Sequence, residues 1–255
     1  MEKIKRLSFQ KNNYSACFLI LLVSCSLAAL EYMLDGMLSR DGFGYLLYTR
    51  EALNNGWQAA AERFPELSGY PPLLVMLMYG AGKLGVDYEL TGRLLNLLGI
   101  IFTGWGVWFI GMELYRDRLM ALCAALITVS IPKLYIDGCN ILRDPLYWAE
   151  MVWACALFFR SINCCQQKIK WDYWCFTAAY SLLGALSCIT RKEGFFFCGL
   201  LAAAIILTLP AGWKNKLITL LILILFCVLL VCLPDVLAVP WNRWEFIDTW
   251  GARWQ

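Results

Sequence analysis

The stretch Ser39-Arg40-Asp41-Gly42-Phe43-Gly44-Tyr45 follows the first membrane-length apolar run and sets a carboxylate where the chain leaves hydrocarbon. Charge at that depth is costly and tends to mark function. Two readings of Asp41 stand. It is a reactive group held in place by the residues around it, or it is the N-cap of a helix starting near Phe43. Cations recur at the ends of later apolar runs: Arg93, Arg143 beside Asp144, and Arg191-Lys192 before Glu193-Gly194. Arg offers an anionic group a bidentate fork and Lys a point charge.

Each of these residues also has a plainer reading. Arg93 can snorkel to the interface. Arg143 and Asp144 can flank a helix end, Asp144 being favoured by the dipole of the first turn. Arg191-Lys192 can anchor a cytoplasmic turn, and Asp144 with Lys192 can bridge two helix ends. Glu51, Glu62 and Glu66 offer a second carboxylate or simply solvate the loop. Glu150, inside an apolar run, must face the bundle interior or find a partner.

Composition narrows the chemistry further. Histidine is absent, which removes Ser-His and Cys-His nucleophiles and histidine-ligated metals. The net charge of +3 is too small to imply nucleic acid. No GxxxxGK loop is present, so nothing implies direct use of ATP. The 12 cysteines are scattered, without a CxxC pair, and most sit in apolar runs as small hydrophobes. They are assigned no function. Aspartate-rich metal clusters are not evident, and no cofactor is expected.

With 60% hydrophobic residues and mean hydropathy of +0.59, the chain reads as an all-α polytopic membrane protein. A basic head, residues 1–14, precedes the first span at 15–33 and places the N-terminus in the cytoplasm. Retention of this helix is favoured over cleavage as a signal peptide, because the residues after Cys25 stay apolar. Further runs at 91–115, 119–136, 145–159, 173–190, 195–209 and 217–233 complete a module of about seven membrane helices over 15–233. The outer loop, 34–90, carries a surface helix at 43–57, a short one at 58–63, and an interfacial or re-entrant helix at 71–85 opened by Pro71-Pro72. The tail, 234–255, has Trp241, Trp244, Trp250 and Trp254 at helical spacing and reads as an outer aromatic helix. The arrangement divides the 22 Lys and Arg evenly between the two sides. It is preferred because Asp41, Arg93, Arg143-Asp144 and Arg191-Lys192-Glu193 then share one face.

The run RDGFGYLLYTREALNNGW, then YPPLLVML and ELTGRLLNLLG, resembles the start of the polyprenyl-phosphate-sugar-dependent glycosyltransferases of the C superfold (GT-C). It is most similar to their protein O-mannosyltransferase and aminoarabinose-transferase branch. Asp144-Pro145-Leu146 and Arg191-Lys192-Glu193-Gly194 also match, and the resemblance spans about residues 15–233. It implies a seven-helix N-terminal module whose active site faces away from the cytoplasm. It also implies transfer of a sugar, with inversion, from a polyprenyl-phosphate donor to an extracytoplasmic protein, lipid or glycan. Asp41 matches the proposed general base. Tyr70, Arg93, Asp144, Arg191 and Lys192 fall in the matching motifs, Arg143 directly precedes one of them, and all six are candidates for the lipid-phosphate site. Where many members read Asp-Glu, this chain has Asp41-Gly42. The implied location is the plasma (inner) membrane, with membrane lipids as neighbours. A non-catalytic relative and a transporter or flippase of lipid-linked substrates are the rival readings.

Overall fold

The structure, a computed structural model, describes the backbone of residues 2–34 and 39–241 and the side chains of 14–33, 39–137 and 140–241. Among them it is all helical: α1 (Glu2–Leu34), α2 (Arg40–Asn55), α3 (Trp57–Arg63), α4 (Pro65–Ser68), α5 (Leu73–Lys83), α6 (Tyr88–Tyr115), α7 (Arg118–Val129), α8 (Pro132–Cys139), α9 (Asp144–Gln166), α10 (Lys170–Thr190), α11 (Glu193–Thr208) and α12 (Trp213–Val236). Four stretches, Tyr14–Met33 of α1 and the whole of α6, α10 and α12, are long and apolar enough to cross a membrane. The fold is that of an all-α membrane protein.

Side-chain contacts give the direction of each helix. Cys17 and Ile20 of α1 meet Trp105 and Gly104 of α6, while Tyr32 meets Arg93, so α1 and α6 are antiparallel. Helix α9 runs parallel to α6, because Gly99 lies on Pro145 and Glu113 binds Arg160. Helix α10 runs back, pairing Phe158 with Tyr180 and Glu150 with Thr190. Helix α12 follows α10, with Tyr173 bonded to Thr219 at 2.9 Å and Gly184 on Leu223. One end of the bundle therefore gathers the C-terminus of α1, the start of α2, the N-termini of α6, α9 and α11, and the C-terminus of α10.

Close approach holds these helices together. A Cβ on Gly99 would lie 2.6 Å from the Pro145 carbonyl, and one on Gly111 would lie 2.8 Å from Ala121 Cβ. Small residues at crossings are how membrane helices gain dispersion contacts where lipid offers no hydrophobic drive. Two half-buried tryptophans bond to the backbone of neighbouring helices. Trp105 Nε1 donates to the Cys17 carbonyl at 3.0 Å and Trp153 Nε1 to that of Phe102 at 2.8 Å.

Three expectations change. The run 119–136 is not one continuous helix: α7 ends at Val129 and α8 begins at Pro132, with Ile131 extended at ψ 121°. Pro132 lacks an N–H and disfavours helix in the residue before it. Helix α9 is 23 residues long but less apolar, carrying Asp144, Glu150 and Arg160, and it falls outside the four clear spans. The first helix extends back to Glu2. In the outer loop, α2 stops at Gly56 (φ 92°), α3 follows, and Pro72 caps the 11-residue α5. Apolar faces of α2 and α5 close on each other through Tyr45, Leu46, Leu74, Val75 and Met78. Of the aromatic tail, 234–236 continue α12, and residues 242–255, with Trp244, Trp250 and Trp254, lie outside the described residues.

Candidate functional site

Helix α2 is capped by Ser39, not by Asp41. The Ser39 hydroxyl accepts from the Gly42 N–H at 3.1 Å, and the Ser39 N–H donates to Asn140 Oδ1 at 2.9 Å. Asp41, relieved of the capping role the sequence allows it, stands exposed in the first turn, on the face that Tyr45 continues. Gly42 is locked beneath the loop before α9, and a Cβ there would sit 2.0 Å from the Asn140 carbonyl oxygen. Position 42 therefore has no room for a second carboxylate.

Arg143, at the N-cap of α9, reaches across this junction. Its guanidinium lies 5.6 Å from the Tyr45 ring and 4.6 Å from the Tyr70 ring, within cation–π range. Its Nε is buried and has no hydrogen-bond partner. Lys192 Nζ approaches the same Tyr70 ring at 5.6 Å. Tyr70 is exposed, so the two cations flank an open aromatic platform. Burial pushes the Tyr45 phenol up to about 12, against the lowering charge of Arg143 and with a raising contribution from Asp41. Tyr45 thus stays a neutral hydroxyl, with the Asp41 carboxylate and the Arg143 cation as its electrostatic neighbours.

Arg191 is committed elsewhere. Its Nη1 donates to Asp144 Oδ1, and its Nε and Nη2 donate to the two Glu193 oxygens at 3.1 Å each. Its guanidinium also faces the Tyr147 ring at 5.6 Å. The bridge open to Asp144 in the sequence is therefore made with Arg191 and not Lys192. Burial raises the Glu193 carboxyl, but its own backbone N–H, Arg191 and the charge of Arg143 outweigh this and hold it below its ordinary value. Deeper in α9, Glu150 Oε1 accepts from Thr190 Oγ1 at 2.9 Å, while its Oε2 is buried without a partner. Gly194 makes the turn possible, because a Cβ there would meet the Ser187 carbonyl at 2.1 Å.

The structure brings Asp41, Tyr70, Arg143, Asp144, Arg191 and Lys192 to one end of the bundle. Arg93 is at that end too, but its contacts run to Glu89 at 2.9 Å and to the Tyr32 ring at 5.2 Å. The sequence analysis missed Tyr45, Asn140 and Tyr147 as parts of the cluster. Tyr45 had a signal, since it lies one helical turn after Asp41. Arg191 takes up Asp144 and Glu193, and among the described residues no carboxylate is bonded to Arg143 or Lys192, which share the Tyr70 ring. That surplus of positive charge, beside a buried unpartnered donor, is a place for an anion. Among the described residues, the group with metal-ligand spacing is not here but at Cys188, Cys198 and Cys227. No family model, curated protein or solved structure matches the chain.

Proposed function

We propose that the chain is a membrane glycosyltransferase, or the N-terminal module of one, using a polyprenyl-phosphate sugar. The observation that carries this reading is the buried, unpartnered Nε of Arg143 beside the platform that Lys192 also flanks. A phosphate seated there accepts from Arg143 and is countered by Lys192. The exposed rim leaves room for an isoprenoid tail to run into the bilayer.

In this mechanism an acceptor hydroxyl attacks the anomeric carbon from the face opposite the phosphate. The carbon–oxygen bond to phosphate breaks, the hydroxyl proton passes to Asp41, and the configuration inverts. The growing charge on the leaving phosphate is met by Arg143 and Lys192. Asp144, Arg191 and Glu193 act as a brace that sets the turn carrying Lys192. The broken pair α7–α8, α9 and α11 cross with the four more apolar helices, giving seven passes, a cytoplasmic N-terminus and a site on the outer face of the plasma (inner) membrane.

The test is transfer from a labelled polyprenyl-phosphate sugar in membranes containing the chain. Asp41→Asn is expected to slow transfer by about 10²–10⁴-fold, the usual contribution of a positioned base. Undiminished transfer in the variant removes Asp41 from the mechanism. A second reading draws on a specific observation: among the described residues no hydrogen bond orients Asp41. A carrier or non-catalytic binder of lipid-linked substrates needs no oriented base. Movement of the lipid across liposomes, with no glycosylated product, would establish that reading instead.

A further inference from the structure

We propose that Cys188, Cys198 and Cys227 form a three-sulfur site for a soft monovalent cation of the cuprous class. The three residues come from different helices, α10, α11 and α12, and are 10 and 29 residues apart along the chain. Cys188 Sγ lies 3.5 Å from Cys198 Sγ, Cys198 Sγ lies 3.8 Å from Cys227 Sγ, and all three sulfurs fall within 4.8 Å of one another. With metal–sulfur bonds of about 2.3 Å, three sulfurs in a trigonal plane stand roughly 4 Å apart. The thiols therefore already hold the spacing that a central ion needs, and binding asks for little movement of the helices.

The donor set selects the ion. Thiolates without oxygen or nitrogen partners favour soft cuprous copper over magnesium, calcium or manganese. Zinc in a closed site takes four ligands, and only three sulfurs converge here. Cys188 and Cys198 are buried and Cys227 is half-buried, so the site is largely shut from water. Cys188 and Cys198 both direct their thiol hydrogens at one acceptor, the Gly184 carbonyl, at 3.7 Å and 3.0 Å. Each sulfur that ligates releases its proton to solvent, and the cation partly compensates the thiolates formed. No electron is transferred in this step. The bound ion would tie α10, α11 and α12 together below the turn that carries Arg191 and Lys192.

The experiment uses the full chain, purified in detergent, reduced and kept anaerobic. It is loaded with Cu(I) and challenged with a colorimetric Cu(I) chelator. One Cu(I) per chain is expected to resist the chelator, with a sulfur-only first shell by X-ray absorption. Cys188→Ala, Cys198→Ala and Cys227→Ala should each lower that resistance at least tenfold. Cys175→Ala and Cys232→Ala, at exposed cysteines of the same helices, should leave it unchanged. Circular dichroism checks each variant, and Cys227→Ser, at the half-buried position, supplies the readout where a buried substitution unfolds the chain. Failure of the wild type to retain copper overturns the site. So does retention that survives all three substitutions, or a disulfide among the three cysteines in the loaded sample.

Discussion

The two ends of the bundle handle charge differently. At the end formed by the C-termini of α6 and α9, Glu113 accepts from Arg160 Nη1 at 3.0 Å and from Asn163 Nδ2 at 2.6 Å, so both its oxygens are used. A cavity of about 880 Å³ lies beside this group, walled by Phe109, Trp153, Phe176 and Trp108, whose neutral Nε1 is buried without a hydrogen-bond partner. At the other end Arg191 closes on Asp144 and on the more exposed Glu193, yet next to it Arg143 keeps a buried, charged donor open and Lys192 rests on an aromatic ring. A closed network is architecture, since a satisfied ion pair mainly fixes geometry. A charged donor that is buried and left open costs stability and needs a reason, and an anionic substrate is one.

This contrast is broken or sharpened by substitution. The largest effect expected is that of Asp41→Asn on transfer, described above. Next is Arg143→Gln, which removes the open donor and its charge. Loss of one donor that meets developing oxyanion charge costs about 10²–10³ in rate. Measured as transfer from labelled lipid donor, with protein amount held constant, a change under threefold would return Arg143 to a structural role. At the opposite end, Glu113→Ala should leave transfer alone and reduce stability by about 1–3 kcal/mol, because Arg160 and Asn163 lose their acceptor. Thermal unfolding in detergent reads this. Equal loss of transfer in Glu113→Ala and Arg143→Gln would erase the distinction between the ends.

Gly42→Glu tests the junction under the site and sits just below these in size. The new side chain must displace the Asn140 carbonyl, which stands 2.0 Å from where its Cβ would be. Forcing atoms into a filled space costs about 1–3 kcal/mol. Lower stability, together with weakened transfer, is the expected result. Retained stability with faster transfer would mean that the loop yields and a second carboxylate is useful there.

Much of this architecture was legible in the sequence, and the reasons can be named. Gly56-Trp57 and Pro71-Pro72 are strong punctuation, so the helices of the outer loop fell near their places. Pro132 was equally visible, but hydropathy averaged across it and hid the break between α7 and α8. The pairing of Asp144 was not legible. Arg191 is extended at φ −145° and ψ 148°, whereas Lys192 is helical at φ −59° and ψ −34°. Neighbouring side chains therefore leave the turn in different directions, and only the backbone decides which meets Asp144. The cysteines were read as scattered small hydrophobes for a related reason. The rotation of α10, α11 and α12 that brings three of them together is not written in their spacing.

The smallest effect, and the finest test of the closed brace, is its response to acid. Glu193 has a carboxyl held below its ordinary 4.5 by its own backbone N–H, Arg191 and Arg143, against the upward push of burial. In the folded state it binds fewer protons than in the unfolded state between its folded value and 4.5. Its contribution is therefore complete above 4.5 and disappears as pH falls through the lower, folded value. The side chain is 58% exposed, so solvent screening limits that contribution to about 1 kcal/mol or less. Wild type should accordingly unfold at a slightly higher temperature than Glu193→Gln near neutral pH, and the gap should close in acid. A gap that persists unchanged through the acid range would show that Glu193 acts by shape rather than charge, and that the brace at this end is held by Asp144 alone.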